Sequence, residues 1–118
     1  MVTFAAVQEL ALALPEAEQS TSYGTPAFKV RGTLFARLRE EGDVLVVKVD
    51  IDYREALTRS EPDTYFIAPH YEKYPYVLVR LTNVEIEDLR ELLTNAWRMS
   101  ALKRLAARFE ASEHSGRR

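Results

Sequence analysis

The chain has 118 residues, of which 47% are hydrophobic and 29% charged, and its formal net charge is −2 at pH 7. This is the size and composition of a single water-soluble globular domain. The absence of cysteine excludes disulfides and thiolate metal sites and fits a reducing cytoplasm. A slightly negative protein is not a strongly electrostatic nucleic-acid binder as a whole, so the distribution of its charges matters more than their sum.

Nothing in the sequence predicts an association with membranes. No run approaches the ~18 apolar residues that a membrane-spanning helix needs. The N-terminal stretch lacks the basic segment of a signal peptide and carries Glu9 in its middle. We therefore expect a cytoplasmic protein with no membrane partner.

An amphipathic helix is predicted from about Thr3 to Leu14. Thr3 can cap its start, and Pro15 disfavours helical geometry at the residue before it, which ends the helix. Apolar side chains recur at steps of three and four residues, which is typical of one face of a helix; they are Phe4, Val7, Leu10, Ala11 and Leu14.

Alternation with a period of two residues then predicts several short strands. Gly32-Thr33 is the expected tight hairpin between the second and third of them, and 40–43 forms the next turn, in which Gly42 can adopt a positive φ. The predicted strands cover residues 20–23, 27–31, 34–39, 44–49 and 76–81.

Two further helices are predicted. Asp52, with Glu55 three residues later, is the expected cap of a short helix over 53–59. Glu85 is the expected cap of a longer one, whose apolar stripe is Ile86, Leu89, Leu92, Leu93, Ala96 and Trp97. Ser100 restarts a helical pattern that continues through Leu102, Leu105 and Phe109. This order predicts an α+β fold with helices on one face of an antiparallel sheet, as one domain over 1–111 and a flexible tail over 112–118.

The ordered set of motifs resembles the MmcQ/YjbR family from about residue 4 to residue 103. The motifs are Leu14-Pro15, a polar strand at 18–22, the turn Tyr23-Gly24-Thr25-Pro26, a hairpin from Phe28 to Phe35, "VVKVD" at 46–50, and the strand-to-helix segment at 76–97. The resemblance implies a fold similar to that of CyaY and of type III secretion chaperones. It also implies a "double wing" DNA-binding label, and it brings no defined active site.

Basic side chains recur on one face of the predicted sheet. Because side chains alternate along a strand, Lys29 and Arg31 share a face, and Arg37 and Arg39 share a face with Phe35. The acidic residues are concentrated near the helices, so we expect a dipolar protein. If this face binds nucleic acid, its lysine and arginine side chains should form one contiguous exposed positive patch. The candidate nucleic-acid-binding residues are Lys29, Arg31, Phe35, Arg37, Arg39, Lys48, Tyr76 and Arg80.

Three interpretations of this face remain open. It is a phosphate-binding platform with aromatic rings for base stacking, which binds single- or double-stranded DNA weakly. It is simply the solvated side of a sheet that is covered on one face only. Or the protein is a protein-interaction module that holds a peptide segment in an exposed groove, as a secretion chaperone holds its client.

The tyrosine-rich segment over 65–76 has two interpretations, because its tyrosines can frame a ligand groove or cover an edge of the core. These residues are Tyr65, Tyr71, Tyr74 and Tyr76. His70 and His114 are far apart, which leaves too few ligands for a metal. The sequence has no glycine-rich phosphate loop, nucleophile elbow or HExxH motif. It therefore predicts no catalytic residue, metal or cofactor, whereas an enzyme would need a deep pocket around His70 and the tyrosines.

Overall fold

A computed structural model describes residues 1–101 and has three α-helices packed against a six-stranded sheet. The helices are α1 (Phe4–Leu12), α2 (Ile51–Ser60) and α3 (Ile86–Ser100), with a short 3₁₀ helix at Pro69–Tyr71. The strands are β1 (Ala17–Ser22), β2 (Thr25–Val30), β3 (Thr33–Leu38), β4 (Val44–Lys48), β5 (Tyr65–Phe66) and β6 (Tyr76–Arg80).

The sheet has the strand order β1-β2-β3-β4-β6-β5, and every neighbouring pair is antiparallel. The predicted α+β class with an antiparallel sheet is confirmed. The predicted helical continuation through Leu102, Leu105 and Phe109 and the predicted tail at 112–118 lie outside the described residues. No helix within 1–101 combines the length and the apolarity required to cross a membrane.

The helix starts show how local side chains set element boundaries. Thr3 caps α1 as predicted, since its Oγ1 accepts a hydrogen bond from the Ala6 amide at 3.2 Å. The cap predicted for α2 is wrong. Asp50, rather than Asp52, accepts hydrogen bonds from the amides of Asp52 and Tyr53, and the helix begins two residues early.

The hairpin between β2 and β3 turns at Arg31 and Gly32 instead of Gly32 and Thr33. Arg31 and Gly32 have positive φ angles of 48° and 82°. A two-residue turn whose twist matches that of the flanking strands requires positive φ at both positions. Arg31 therefore leaves the strand, and its guanidinium lies 2.8 Å from a carboxylate oxygen of Glu16. The prediction that Arg31 belongs to the basic sheet face is wrong because the turn redirects its side chain.

A bulge in β3 reverses part of the predicted alternation. Phe28 pairs with Ala36 and Lys29 pairs with Leu34, so Phe35 is an extra residue without a partner in β2. As a result Phe35 and Ala36 are both buried in the main core. The prediction that Phe35 lies on the outer face with Arg37 is wrong.

The main core lies between the sheet and the two helices α1 and α3. The predicted stripe of α3 is buried except for Ile86, which is 42% exposed. Trp97 is fully buried, and its Nε1 donates a hydrogen bond to the Pro15 carbonyl at 2.9 Å. This bond fixes the segment between α1 and β1 against α3. Because α1 and α3 pack on one face of the sheet, the opposite face is left for other contacts.

Candidate functional site

The outer face of the sheet carries a small second core. Val44, Val46 and Leu78 are buried there, under Phe66, Ala68, Tyr71 and Tyr76. Ala68 and Tyr71 belong to the segment between β5 and β6, residues 67–75, which we call the tyrosine loop. The loop lies over the middle of the face, so that face is not an open basic surface.

Arg54 of α2 holds the tyrosine loop in place. Its side chain is buried, and its Nη1 donates to the carbonyls of Tyr71, Tyr74 and Tyr76 at 3.2, 2.8 and 3.1 Å. Its Nη2 donates to the Glu72 carbonyl at 3.0 Å. A single guanidinium thus reaches three loop carbonyls and the carbonyl of Tyr76, the first residue of β6, and its Nη1 shares two N–H groups among three acceptors. Sequence reasoning missed this residue. Its one available signal was the spacing of three residues from Leu57, which packs against the main core, because this spacing places Arg54 on the inward face of α2.

A groove of about 280 Å³ opens on the outer face beside the tyrosine loop. We call it the aromatic groove. Tyr23 and Tyr74 are 84% and 56% exposed, so their rings are free to meet a ligand. Its lining residues include no carboxylate and are Tyr23, Leu34, Arg37, Val46, His70, Tyr71, Tyr74 and Tyr76.

The aromatic side chains of the tyrosine loop pack against one another and against Tyr76 of β6. The His70 ring packs edge-on against Tyr71, with ring centroids 4.9 Å apart, and Tyr71 packs edge-on against Tyr76 at 5.8 Å. Such contacts add to the stability gained from burial. The groove therefore has one wall of packed rings, which carries phenol and imidazole groups for hydrogen bonding.

Arg37 lines the same groove and is only 8% exposed. Its Nη2 donates to the Tyr71 hydroxyl at 3.1 Å, and its Nη1 donates to Thr25 Oγ1 at 3.0 Å. Its guanidinium also lies 5.3 Å from the centre of the Tyr23 ring. The prediction of an exposed Arg37 is wrong, because the tyrosine loop folds over it and uses its donors.

The other predicted basic residues do lie on the outer face, but several are engaged. The guanidinium of Arg80 lies 4.0 Å from the centre of the Phe66 ring, and Arg39 lies 3.3 Å from the Glu41 carboxylate. Lys48 pairs across the strands with Tyr76, and partial burial lowers the pKa of Lys48. Lys29 is half-buried beside Leu34. The prediction of one contiguous exposed patch is therefore wrong.

The tyrosine-rich segment frames a groove with three of its four predicted tyrosines. Tyr71, Tyr74 and Tyr76 line the aromatic groove, as the first interpretation requires. Tyr65 does not, because its side chain is buried in the main core on the opposite face. Burial raises the pKa of Tyr65 to about 12, and the carboxylates of Glu61, Asp88 and Glu91 with the Tyr53 hydroxyl add to the shift.

The pKa of Tyr65 predicts a loss of stability in alkali. Because the folded protein keeps the phenol protonated up to about pH 12 while an unfolded tyrosine ionises near 10, stability falls as pH rises from 10 to 12. Absorbance at 295 nm should show one tyrosine ionising near pH 12, and Tyr65→Phe should remove that step. A wild-type titration complete by pH 11 while the protein remains folded by circular dichroism would contradict this prediction.

Within residues 1–101, no group of three histidine, aspartate or glutamate side chains is placed to hold a metal ion. His70 lies in the aromatic groove among tyrosines. The groove thus offers flat apolar surfaces, hydrogen-bonding phenols and a nearby cation. These groups suit the binding of a planar ligand with polar edges.

By its fold, the protein is an α+β domain with helices on one face of an antiparallel sheet. A family model described as YjbR matches residues 12–99, and the chain belongs to this family. A crystal structure of a Deinococcus radiodurans protein with the family-model domain DUF419 is similar, with a TM-score of 0.74 and 25% sequence identity. That likeness covers 84% of this chain and 78% of the other. The resemblance predicted from the motifs is confirmed.

Proteins from Mycobacterium bovis and Mycobacterium tuberculosis, described as uncharacterized, are 47% identical to the chain over 72 residues. The matching stretch covers 60% of this chain and 56% of each relative. The chain therefore spans little more than half the length of the curated relatives it matches.

Proposed function

We propose that the chain is a non-enzymatic cytoplasmic binding protein that binds single-stranded DNA through the aromatic groove. The observation that carries this proposal is the placement of Tyr23 and Tyr74, two exposed rings that line one groove together with the guanidinium of Arg37. Exposed aromatic rings beside a cation are the elements with which proteins bind unpaired bases.

The size of the groove favours a single base as its occupant. Its volume of about 280 Å³ lies below the ~300 Å³ at the lower end of pockets for drug-sized molecules. Stacking of one base on an aromatic side chain is worth about 1–3 kcal/mol and requires no particular base. A base in a duplex is already stacked and paired, so single strands bind better than duplexes.

Basic residues around the groove supply the contacts to phosphates. Lys48 follows the groove residue Val46 on the same face of β4, and Lys29 lies opposite Leu34, which also lines the groove. Arg39 and Arg80 lie on the same face of the sheet, although each has an intramolecular contact. Because few of these cations are free, and because the net charge of the chain is −2, we expect weak binding that falls with salt.

The test is fluorescence anisotropy of a labelled single-stranded oligonucleotide, compared with its duplex, across a salt series. Tyr74→Ala should weaken binding about tenfold through the lost stacking. Lys48→Gln should reduce the salt dependence by about one released counterion. Arg37 is not a suitable position, since replacing a buried, hydrogen-bonded residue would disturb the fold.

Matched controls are available on α2, away from the groove. Tyr53→Ala removes a partly exposed tyrosine, and Arg59→Gln removes an exposed cation. Both should bind as the wild type does. No binding at about 50 mM salt, where phosphate contacts are strong, would overturn the proposal, as would equal loss in the groove variants and the controls.

A protein-interaction function is the second candidate, favoured by a different observation. Tyr23, Ile67 and Tyr74 are exposed, and the outer edge of β1 pairs with no strand among residues 1–101. An extended peptide can add to such an edge. Capture of an extended peptide with little response to salt, in place of DNA binding, would favour this function.

A further inference from the structure

A second cavity lies between α2 and α3, on the helix side of the molecule, with a volume of about 150 Å³. We call it the inter-helix pocket. It contains three carboxylates, two phenols and two leucine side chains: Glu61, Asp88, Glu91, Tyr53, Tyr65, Leu57 and Leu92. None of these residues lines the aromatic groove, so the two cavities are separate sites.

Within the part of the chain that the structure describes, the carboxylates of the inter-helix pocket have no positive partner. None of Glu61, Asp88 and Glu91 forms an ion pair with another residue in 1–101, and no basic residue lines the pocket. Elsewhere on the same helix Glu87 does have a partner, Arg90, at 3.5 Å. Three like charges around a small cavity repel one another, and a cation placed among them relieves this repulsion.

The hydroxyl of Tyr65 is a second feature of the inter-helix pocket that points to a ligand. The residue is only 2% exposed and lines the pocket, yet its hydroxyl makes no hydrogen bond to any described residue. The hydroxyl oxygen itself is not enclosed by protein atoms, so water or a ligand can reach it from the pocket. The phenol oxygen can accept a hydrogen bond from a donor that enters the pocket.

We propose that the inter-helix pocket binds the ammonium group of an alkylammonium ligand, such as a diamine or a lysine side chain. The carboxylates at its rim neutralise the charge, Tyr65 accepts a hydrogen bond, and Tyr53 presents an aromatic ring to the cation. Leu57 and Leu92 contact the alkyl chain.

The apolar side chains distinguish an organic cation from a metal ion. Metal ions such as Ca²⁺ require several oxygen ligands around one point. No group of three acidic or histidine side chains within residues 1–101 meets that requirement. An alkylammonium ion instead needs a polar end and an apolar side, and the pocket has both.

The test is a titration of the ¹⁵N-labelled protein, followed by NMR, with n-butylamine at pH 7 and with 1-butanol as the neutral analogue. The amide signals of Leu57, Tyr65 and Leu92 should shift and saturate with butylamine only. Asp88→Asn should weaken binding about tenfold, as expected for the loss of a charge-assisted hydrogen bond. Tyr65→Phe should weaken binding severalfold while leaving the fold intact.

Glu87→Gln is the matched control, since it removes a charge one residue from Asp88 but outside the pocket. It should bind as the wild type does. Equal shifts with butanol, shifts that do not saturate, or equal weakening by Asp88→Asn and Glu87→Gln would overturn the proposal. Comparison of 1,4-diaminobutane with Nα-acetyl-lysine methylamide then identifies the source of the ammonium group, because a site for a partner's lysine should favour the latter.

Discussion

Replacement of Arg54 by methionine should lower the free energy of unfolding by about 3 kcal/mol, because four partly buried hydrogen bonds to main-chain carbonyls are lost at once. Arg54 is only 7% exposed, and its guanidinium donates to four carbonyls of residues 71–76. Methionine keeps much of the side-chain volume but supplies no donor. The measurement is urea unfolding, with tyrosine-loop signals followed by NMR.

The same substitution should also disorder the aromatic groove, since Tyr71, Tyr74 and Tyr76 are held through their own carbonyls. Arg59→Met is the control, because Arg59 lies on the same helix in an exposed pair with Glu55, and such pairs contribute about 0.5 kcal/mol. Arg54→Lys should fall between the two variants, since one ammonium cannot reach four carbonyls at once. A cost below about 0.5 kcal/mol for Arg54→Met, the usual cost of a surface substitution, would contradict this role.

The sequence predicted the elements whose causes are local. Thr3 caps α1, and the three- and four-residue spacing of α3 identifies Leu89, Leu92, Leu93, Ala96 and Trp97 as buried. A nearly continuous run of β-branched residues identifies β4. In each case neighbouring residues alone carry the information, because capping and burial on one helix face depend on short spacings.

The site depends on contacts between residues distant in sequence, and those were not predictable. Arg54 and Tyr74 are twenty positions apart, and Arg37 and Tyr71 are thirty-four apart. The two-residue strand β5 is too short to show alternation, so nothing local indicated that Tyr65 faces the main core. Tyrosine content alone left a groove and a cover for the core edge as two open interpretations, and the boundaries of the observed groove follow from the way Arg54 and Arg37 hold the loop.

Strand β3 shows how one extra residue changes a prediction for a whole face. Strict alternation places Phe35 with Arg37 on the outer face, whereas the bulge places Phe35 beside Ala36 in the main core. Bulges depend on the pairing of two strands, and pairing is not encoded in the alternation of one strand. A substitution at Phe35 therefore tests the bulge directly.

Phe35→Ala should lower the free energy of unfolding by about 4 kcal/mol, because a fully buried ring is lost from a close-packed core. Leu34→Ala is the matched control on the preceding residue, whose partly exposed side chain lines the aromatic groove. Its cost should be about 1 kcal/mol, as is usual for side chains outside the core. Urea unfolding of both variants gives the comparison, which is valid only if the free energy of unfolding falls with urea concentration at a similar slope in each. A larger cost for Leu34→Ala than for Phe35→Ala would mean that β3 alternates without a bulge.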